Sequence, residues 1–208
     1  MRILIADDHS ILRLGLKRLL AEAFPKAEFG EAGSVAEAMA LATEHDWDLV
    51  LADITMPGRS GLDLLKELKS LRPKLPVLVL SMHAEDQFAV RAIKAGAAGY
   101  LRKECSPAEL IRAVNRAAAG VRYVSETLAE RLAAHLQLGG SNAPHETLSD
   151  REFVVLRLIA LGKSMKEIAA ELGLSINTVN TYRAQLLNKL ELKTNVELTR
   201  FAVDHELV

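Results

Sequence analysis

The stretch "LVLADITMPGRSG", residues 49 to 61, decides how the chain is read. Four apolar residues run straight into Asp53, and a loop with Pro57, Gly58 and Gly61 follows at once. An unbroken apolar run of this length reads as a strand buried on both faces, as in a parallel sheet. A carboxylate at the tip of such a strand loses hydration, so its presence calls for a partner or a task.

Four further segments resemble it. "RILIAD" (2–7), "AEFGEA" (27–32), "PVLVLS" (76–81) and "AGYLRK" (98–103) read as strands, and three of the five, counting "DLVLAD" (48–53), are almost wholly apolar. Between them lie stretches of helical spacing, such as Leu62, Leu65, Leu68 and Leu71 on one face. Alternating strands and helices predict a doubly wound, five-stranded parallel α/β sheet covered on both sides. Its crevice lies at the C-terminal ends of the strands.

The remaining composition sets limits. In 208 residues, 50% are hydrophobic and 25% charged, which is globular and long enough for two ordinary domains. Net charge is −1; residues 1–138 hold 18 basic against 18 acidic side chains and residues 139–208 hold 8 against 9. Neither part has the strongly basic balance of a nucleic-acid-binding domain, so any such interaction must rest on a local stripe. Cys105 is the single cysteine, which excludes an intramolecular disulfide and suits a reducing compartment. Apolar runs such as Val77 to Met82 are too short to span a bilayer, and Asp7 and Asp8 interrupt the N-terminus where a signal peptide would continue. A cytoplasmic protein with no membrane partner is expected.

Helix starts are marked by S-x-x-E pairs at Ser34/Glu37, Ser106/Glu109, Ser149/Glu152 and Ser164/Glu167, each fitting a capping box, with Pro107 at a first helical position. "SETLAERLAAHLQL" (125–138) reads as another amphipathic helix, and "GGSNAPHET" (139–147) as a flexible linker. Beyond it the pattern is purely helical. The expected organisation is a domain over 1–120, a linker including a helix over 121–147, and an all-α four-helix domain over 148–208.

Asp53 finds its reason in what the other strands deliver. The first strand ends in Asp7-Asp8, the fourth in Ser81 and the fifth in Lys103, and parallel strands bring all of these to one edge. Clustered carboxylates resist ionisation unless a cation joins them, and an all-oxygen site favours Mg²⁺. A cation, a lysine and a hydroxyl around one carboxylate are what phosphoryl transfer to that carboxylate requires. Singly, a strand-terminal Asp is a turn or cap residue, and Asp7-Asp8 could favour a helix N-terminus; the joint pattern carries the argument. His9 and His83 lie near it without metal-ligand spacing and read as surface or outer residues, and Cys105 as a small loop residue.

On "LIADDH", "DLVLADITMPGRSGLDLL", "VLVLSMH" and "GAAGYLRK", residues 1–120 resemble the receiver domain of bacterial two-component response regulators. The resemblance implies a flavodoxin-like fold and a phosphoacceptor at Asp53, supplied by a phosphohistidine on a sensor histidine kinase. It further implies Mg²⁺ held by Asp8, Asp53 and the Thr55 backbone carbonyl, with Asp7 acting through water. Ser81 would contact the phosphoryl group, Lys103 would pair with it, and Tyr100 would be the aromatic switch. Glu104 stands where many receivers carry proline after the lysine, as is common in the NarL/FixJ subtype.

In "MKEIAAELGLSINTVNTYRAQLLNKL" (165–190), a helix, a short turn with Gly173 and a second helix follow one another, with Ser175 as N-cap. Ile176, Val179, Leu186, Leu187 and Leu190 form the expected buried stripe. Asn177, Asn180, Thr181, Arg183, Ala184, Asn188 and Lys189 lie opposite, a face that suits the DNA major groove or is simply solvated; periodicity leaves both open. The segment resembles the LuxR-type helix-turn-helix through L-S-x-R-E, K-E-I-A-x-x-L and S-x-x-T-V-N-T-Y-R. That resemblance places Thr178, Tyr182 and Lys189 at phosphate-facing positions and Asn180, Thr181 and Ala184 at base-facing ones. Many relatives have lysine at 180 and histidine at 182, so phosphate-driven affinity here is expected to be modest and to depend on dimerisation.

The two resemblances together imply a NarL/FixJ-type regulator of transcription: a non-enzyme that binds double-stranded DNA as a homodimer under control of phosphorylation. One rival is a Mg²⁺-dependent aspartyl phosphatase of the haloacid dehalogenase type, but that chemistry needs D-x-D on the first strand and the acidic pair here is adjacent. Another is a DNA-binding protein whose receiver is not phosphorylated, against which the intact acidic set argues.

Overall fold

The structure is a computed structural model that describes residues 1–56, 59–82, 87–137, 144–205 and 207–208. Pro57, Gly58, His83 and residues 139–143 of the expected linker lie outside the described residues. The chain divides into two compact units, Met1–Ala133 and Ala134–Val208.

In the first unit β1 (Arg2–Ala6), β2 (Glu28–Ala32), β3 (Leu49–Asp53), β4 (Val77–Ser81) and β5 (Gly99–Arg102) form one parallel sheet in the order β2-β1-β3-β4-β5. This is the flavodoxin-like order, with helices α1 (Ser10–Ala23), α2 (Val35–Glu44), α3 (Gly61–Leu71), α4 (Gln87–Lys94) and α5 (Pro107–Ala118) between strands and after the last. All five residues of β3 and of β4 are buried, as their apolar runs require. β2, at the edge, keeps Glu28 and Glu31 exposed. Ile3, Ile5, Leu49, Leu51, Leu78, Leu80 and Leu101 interleave with Leu110 and Val114 of α5 in the core. Burial of such side chains stabilises the unit by roughly 1.5–3 kcal/mol apiece.

Two helix readings need correction in detail. Leu62, Leu65 and Leu68 are buried, but Leu71 is 49% exposed, because α3 ends there and the chain turns away at Arg72. The S-x-x-E boxes are complete only at Ser149 and Ser164. Ser34 and Ser106 do cap their helices, but the Glu37 carboxylate accepts from the Gly33 N–H and the Glu109 carboxylate accepts from the Tyr123 hydroxyl. Two further boxes, Ser60/Asp63 and Thr194/Glu197, use residue types outside that pattern.

Past α5 the chain returns along the sheet. Tyr123 forms an isolated parallel bridge with Gly99, and its N–H donates to the Ala98 carbonyl at 2.7 Å. A Cβ on Gly99 would stand 2.6 Å from the Tyr123 carbonyl oxygen, so glycine is what lets this extra strand residue approach. Helix α6 (Glu126–Gln137) then begins, with Leu128 fully buried.

The second unit holds a 3-10 turn at Pro144–Thr147 and helices α7 (Asp150–Ala160), α8 (Met165–Leu172), α9 (Ile176–Lys189) and α10 (Asn195–Asp204). Phe153, Val155, Leu156, Ile168, Val179, Leu186 and Leu198 make its core. α8 stops at Gly173, whose φ of 61° is the left-handed conformation that ends helices, and Ser175 caps α9 from the Thr178 N–H. The expected stripe holds at Val179, Leu186 and Leu190. Ile176 departs from it at 46% exposure, because it opens the helix before the stripe turns inward.

Candidate functional site

The sheet delivers its polar strand ends to one place. Asp53 is the last residue of β3 and Ser81 of β4, while Asp7 and Lys103 each follow the last residue of their strands. The Lys103 N–H donates to the Ser81 carbonyl at 2.8 Å, which fixes the lysine beside β4. Its ammonium lies 2.8 Å from Asp7 Oδ2 and 2.7 Å from Asp53 Oδ2, with all three side chains almost fully buried. One cation thus bridges two carboxylates in a medium where their charges are poorly screened. The Thr55 N–H donates to Asp53 Oδ1 at 3.1 Å. Burial pushes the Asp53 carboxyl up to about 6, against the pull of Lys103 and with a further push from Asp7. Burial works against the charged form of Lys103, but Asp53 and Asp7 outweigh it and hold its pKa above the ordinary value.

Asp8 completes the cluster from a less buried position. One donor atom each from Asp7, Asp8, His9 and Asp53 lies within 4.8 Å of the others. Asp7 Oδ2, Asp8 Oδ1 and Asp53 Oδ2 are buried without a well-aligned hydrogen bond, although Lys103 pairs closely with the first and the last. Three such oxygens converging in one crevice are a donor set for a hard divalent cation, and the residues fit Mg²⁺.

Two residues of this site, Gly61 and Arg13, were not legible in advance, and a third, His9, was legible only as a surface or outer residue near it. Gly61, at the start of α3, has its N–H on the Ile54 carbonyl at 2.8 Å, and a Cβ there would fall 1.8 Å from the Asp53 carbonyl oxygen. Arg13 reaches back from α1 to the Asp7 carbonyl. The His9 N–H donates to Asp7 Oδ1 at 2.8 Å, and its ring Nδ1 lies 2.8 Å from Asp8 Oδ1. Only the adjacency of His9 to the Asp pair signals any of this in sequence. Ser81 and Tyr100 are fully buried in β4 and β5, Tyr100 opposite Val79.

In the second unit α9 presents Asn177, Asn180, Thr181 and Ala184 to solvent, with Thr178, Tyr182 and Arg183 half-buried. Its two cations are already engaged: Arg183 Nε donates to Asn195 Oδ1, and Lys189 Nζ lies 2.7 Å from Glu152 Oε2. Burial raises the pKa of the Glu152 carboxyl, but Lys189 and the Ser149 cap together hold it below its ordinary value. The Thr181 hydroxyl donates to the Asn177 carbonyl, and Thr178 pairs with Ser175 at 2.8 Å. The outward face of α9 is therefore carried mostly by short amide and hydroxyl side chains.

Residues 3–115 match the response regulator receiver domain model, and residues 146–202 match that of bacterial regulatory proteins of the luxR family. The chain is 37% identical over 209 residues to the response regulator GacA of Pseudomonas viridiflava, covering 100% of this chain and 98% of that one. To the response regulator UvrY of Escherichia coli (strain K12) it is 32% identical, with 100% and 95% covered. Its fold matches RcsB from Salmonella enterica serovar Typhimurium, a structure of that protein bound to promoter rprA in the presence of phosphomimetic BeF3-. That match has a TM-score of 0.61 at 27% identity over 97% of this chain and 98% of the other. Among the described residues no helix is long and apolar enough to cross a membrane. With a parallel sheet that gathers Asp7, Asp8, Asp53 and Lys103, followed by a helix-turn-helix unit, the chain belongs to the two-component response regulators that join a receiver domain to a LuxR-type DNA-binding domain, and its function is regulation of transcription.

Proposed function

We propose that Asp53 accepts a phosphoryl group from a phosphohistidine on a sensor histidine kinase, and that this controls DNA binding by α9. The observation that carries the reading is the pair of buried carboxylates, Asp53 and Asp7, on the single Lys103 ammonium at the strand ends. An Asp53 oxygen attacks phosphorus in line while the phosphorus–nitrogen bond to the donor breaks, the nitrogen keeping the electron pair. Lys103 moves its charge from the free carboxylate to the phosphoryl oxygens. Ser81 accompanies it from β4, and Tyr100 in β5 registers the change as the switch. Asp8, Asp53 and the Thr55 carbonyl would hold Mg²⁺, with Asp7 acting through water, and the bound ion would supply neutralising charge to the phosphoryl oxygens. The adjacent acidic pair equips the chain as an acceptor, and no turnover of phosphate esters is expected.

Incubation with acetyl phosphate and Mg²⁺ tests the assignment by intact mass. One hydroxylamine-labile phosphoryl group is expected on the wild type and none on Asp53→Asn; an unmodified wild type overturns it.

For DNA, α9 enters the major groove as a homodimer, one helix per half-site. Asn180, Thr181 and Ala184 face bases, and Thr178, Tyr182, Arg183 and Lys189 face the backbone. An asparagine amide pairs bidentately with adenine N6 and N7. Asn180→Ala is therefore expected to cost ~1–3 kcal/mol per half-site and to relax preference at one base pair, as read from a randomised operator pool. Uniform weakening of all sequences would make Asn180 a backbone contact instead. The receiver role is proposed for residues 1–120 and the DNA-binding role for 148–208, with 121–147 connecting them.

A further inference from the structure

Among the described side chains of the acidic crevice, His9 is one to which the phosphoryl-acceptor reading gives no task. It sits at the N-cap of α1, where Ser, Thr, Asp or Asn would normally cap, yet its side chain makes no cap hydrogen bond. Its ring, 64% exposed, lies instead at the mouth of the crevice. Nδ1 stands 2.8 Å from Asp8 Oδ1 and 3.3 Å from Asp7 Oδ1, while the Asp7 carboxylate takes the His9 backbone N–H. The imidazole nitrogen thus belongs to the same 4.8 Å cluster of donor atoms as the three carboxylates. Opposite ligands of an octahedral dication with bonds of about 2.1 Å are about 4.2 Å apart, a spread comparable to that of these four donor atoms.

We propose that His9 is a further side-chain donor of the cation site and sets its selectivity, extending it from Mg²⁺ to nitrogen-preferring first-row dications of the Co²⁺ and Zn²⁺ kind. The inference rests on the metal site proposed above. Carboxylates alone suit hard ions such as Mg²⁺, whereas an imidazole adds most to ions later in the first row. Exposure of the His9 ring leaves it free to rotate onto an ion without breaking core packing. A different role is also open to this geometry: His9 could donate from Nδ1 to Asp8 and merely orient that carboxylate, as an outer partner does. The two roles separate by metal. An orienting histidine changes the affinity for every ion alike, and a donor histidine discriminates.

The test uses the full-length protein stripped with chelator, titrated calorimetrically with Mg²⁺ and with Co²⁺, the latter also followed by its visible absorption. Wild type is compared with His9→Ala, with His9→Gln, which keeps a hydrogen-bond donor but no imidazole, and with Asp53→Asn as the site control. Expected is a tenfold or greater loss of Co²⁺ affinity in both His9 variants, with Mg²⁺ affinity kept within about twofold and the Co²⁺ band shifted. Equal losses for both ions in His9→Ala with rescue in His9→Gln would reduce His9 to a positioning residue and overturn the proposal. Unchanged Co²⁺ affinity and spectrum would overturn it as well. If neither ion binds wild type in a way that Asp53→Asn abolishes, the metal site itself fails, and the selectivity claim with it.

Discussion

Burial holds the Asp53 carboxyl well above the ordinary carboxylate range. Its folded pKa of about 6 lies above the ordinary value of 3.8, so between those values the folded protein keeps a proton that the unfolded chain has lost. Stability of the metal-free protein is therefore expected to fall as pH rises from about 4 to about 6 and then to level off, by up to roughly 3 kcal/mol from this one group. Chemical denaturation at several pH values checks this: Asp53→Asn should lack that component and should be the more stable protein at pH 7 without Mg²⁺. A steeper fall in the variant than in wild type would contradict it. At this scale the sequence was highly legible, because carboxylates and a lysine at strand ends state their chemistry by type. Arg13 and Gly61 were not, and His9 was so only as a nearby outer residue, because their contacts come from the path of the chain between elements: a side chain reaching back to a carbonyl, a backbone approach, and a helix cap whose ring leans on the acidic pair.

Glycines and caps decide how well the elements fit one another. Gly61 brings α3 against the backbone of Asp53, and the 1.8 Å clash a Cβ would make is with a carbonyl oxygen in a buried strand that cannot move aside. Gly61→Ala is expected to destabilise strongly, by several kcal/mol, and to slow phosphorylation of whatever folds, since the acceptor strand must shift. The clash at Gly99 is with the Tyr123 carbonyl at 2.6 Å, in a bridge past α5 that can lift away, and with Leu78 Cδ2 at 2.8 Å, the end of a side chain that can turn. Gly99→Ala is thus expected to cost less and to leave phosphorylation intact, a ranking that thermal melts and acetyl phosphate kinetics decide together. In the second unit, Lys189 neutralises Glu152 at the start of α7. Lys189→Ala should destabilise that unit by ~1–2 kcal/mol besides weakening DNA binding at all sequences alike, so its DNA affinity must be read with the unit's melting measured in parallel. The lysine was legible as a basic residue on an outward face; its acidic partner, 37 positions away, was not, because only the packing of α7 on α9 brings them together.

For the molecule as a whole, alternation of apolar runs with helical spacing specified a doubly wound parallel sheet, but its order β2-β1-β3-β4-β5 was implied only by the family resemblance, because more than one order covers both faces. The helical unit was less legible by periodicity. A polar face on α9 reads equally as solvated or DNA-facing until the motif and the family decide. Limited proteolysis is expected to cut first within 139–147, where small and polar residues concentrate, and to release two folded fragments. If the fragment from about 146 onward binds DNA better than the unphosphorylated whole, the receiver obstructs α9; if it binds less well, receiver-driven dimerisation supplies the affinity. Where the first fragment should end is a question of colloidal behaviour. The sheet has two margins: β2, with its acidic Glu28 and Glu31, and β5, whose outer side is taken by Tyr123. A bare strand margin is a template on which copies of the same chain stack, and charge on one side with a covering residue on the other suppresses that. A fragment ending at residue 120 leaves β5 uncovered and is expected to self-associate on warming, whereas one ending at residue 133 keeps its Tyr123 cover and should stay dispersed.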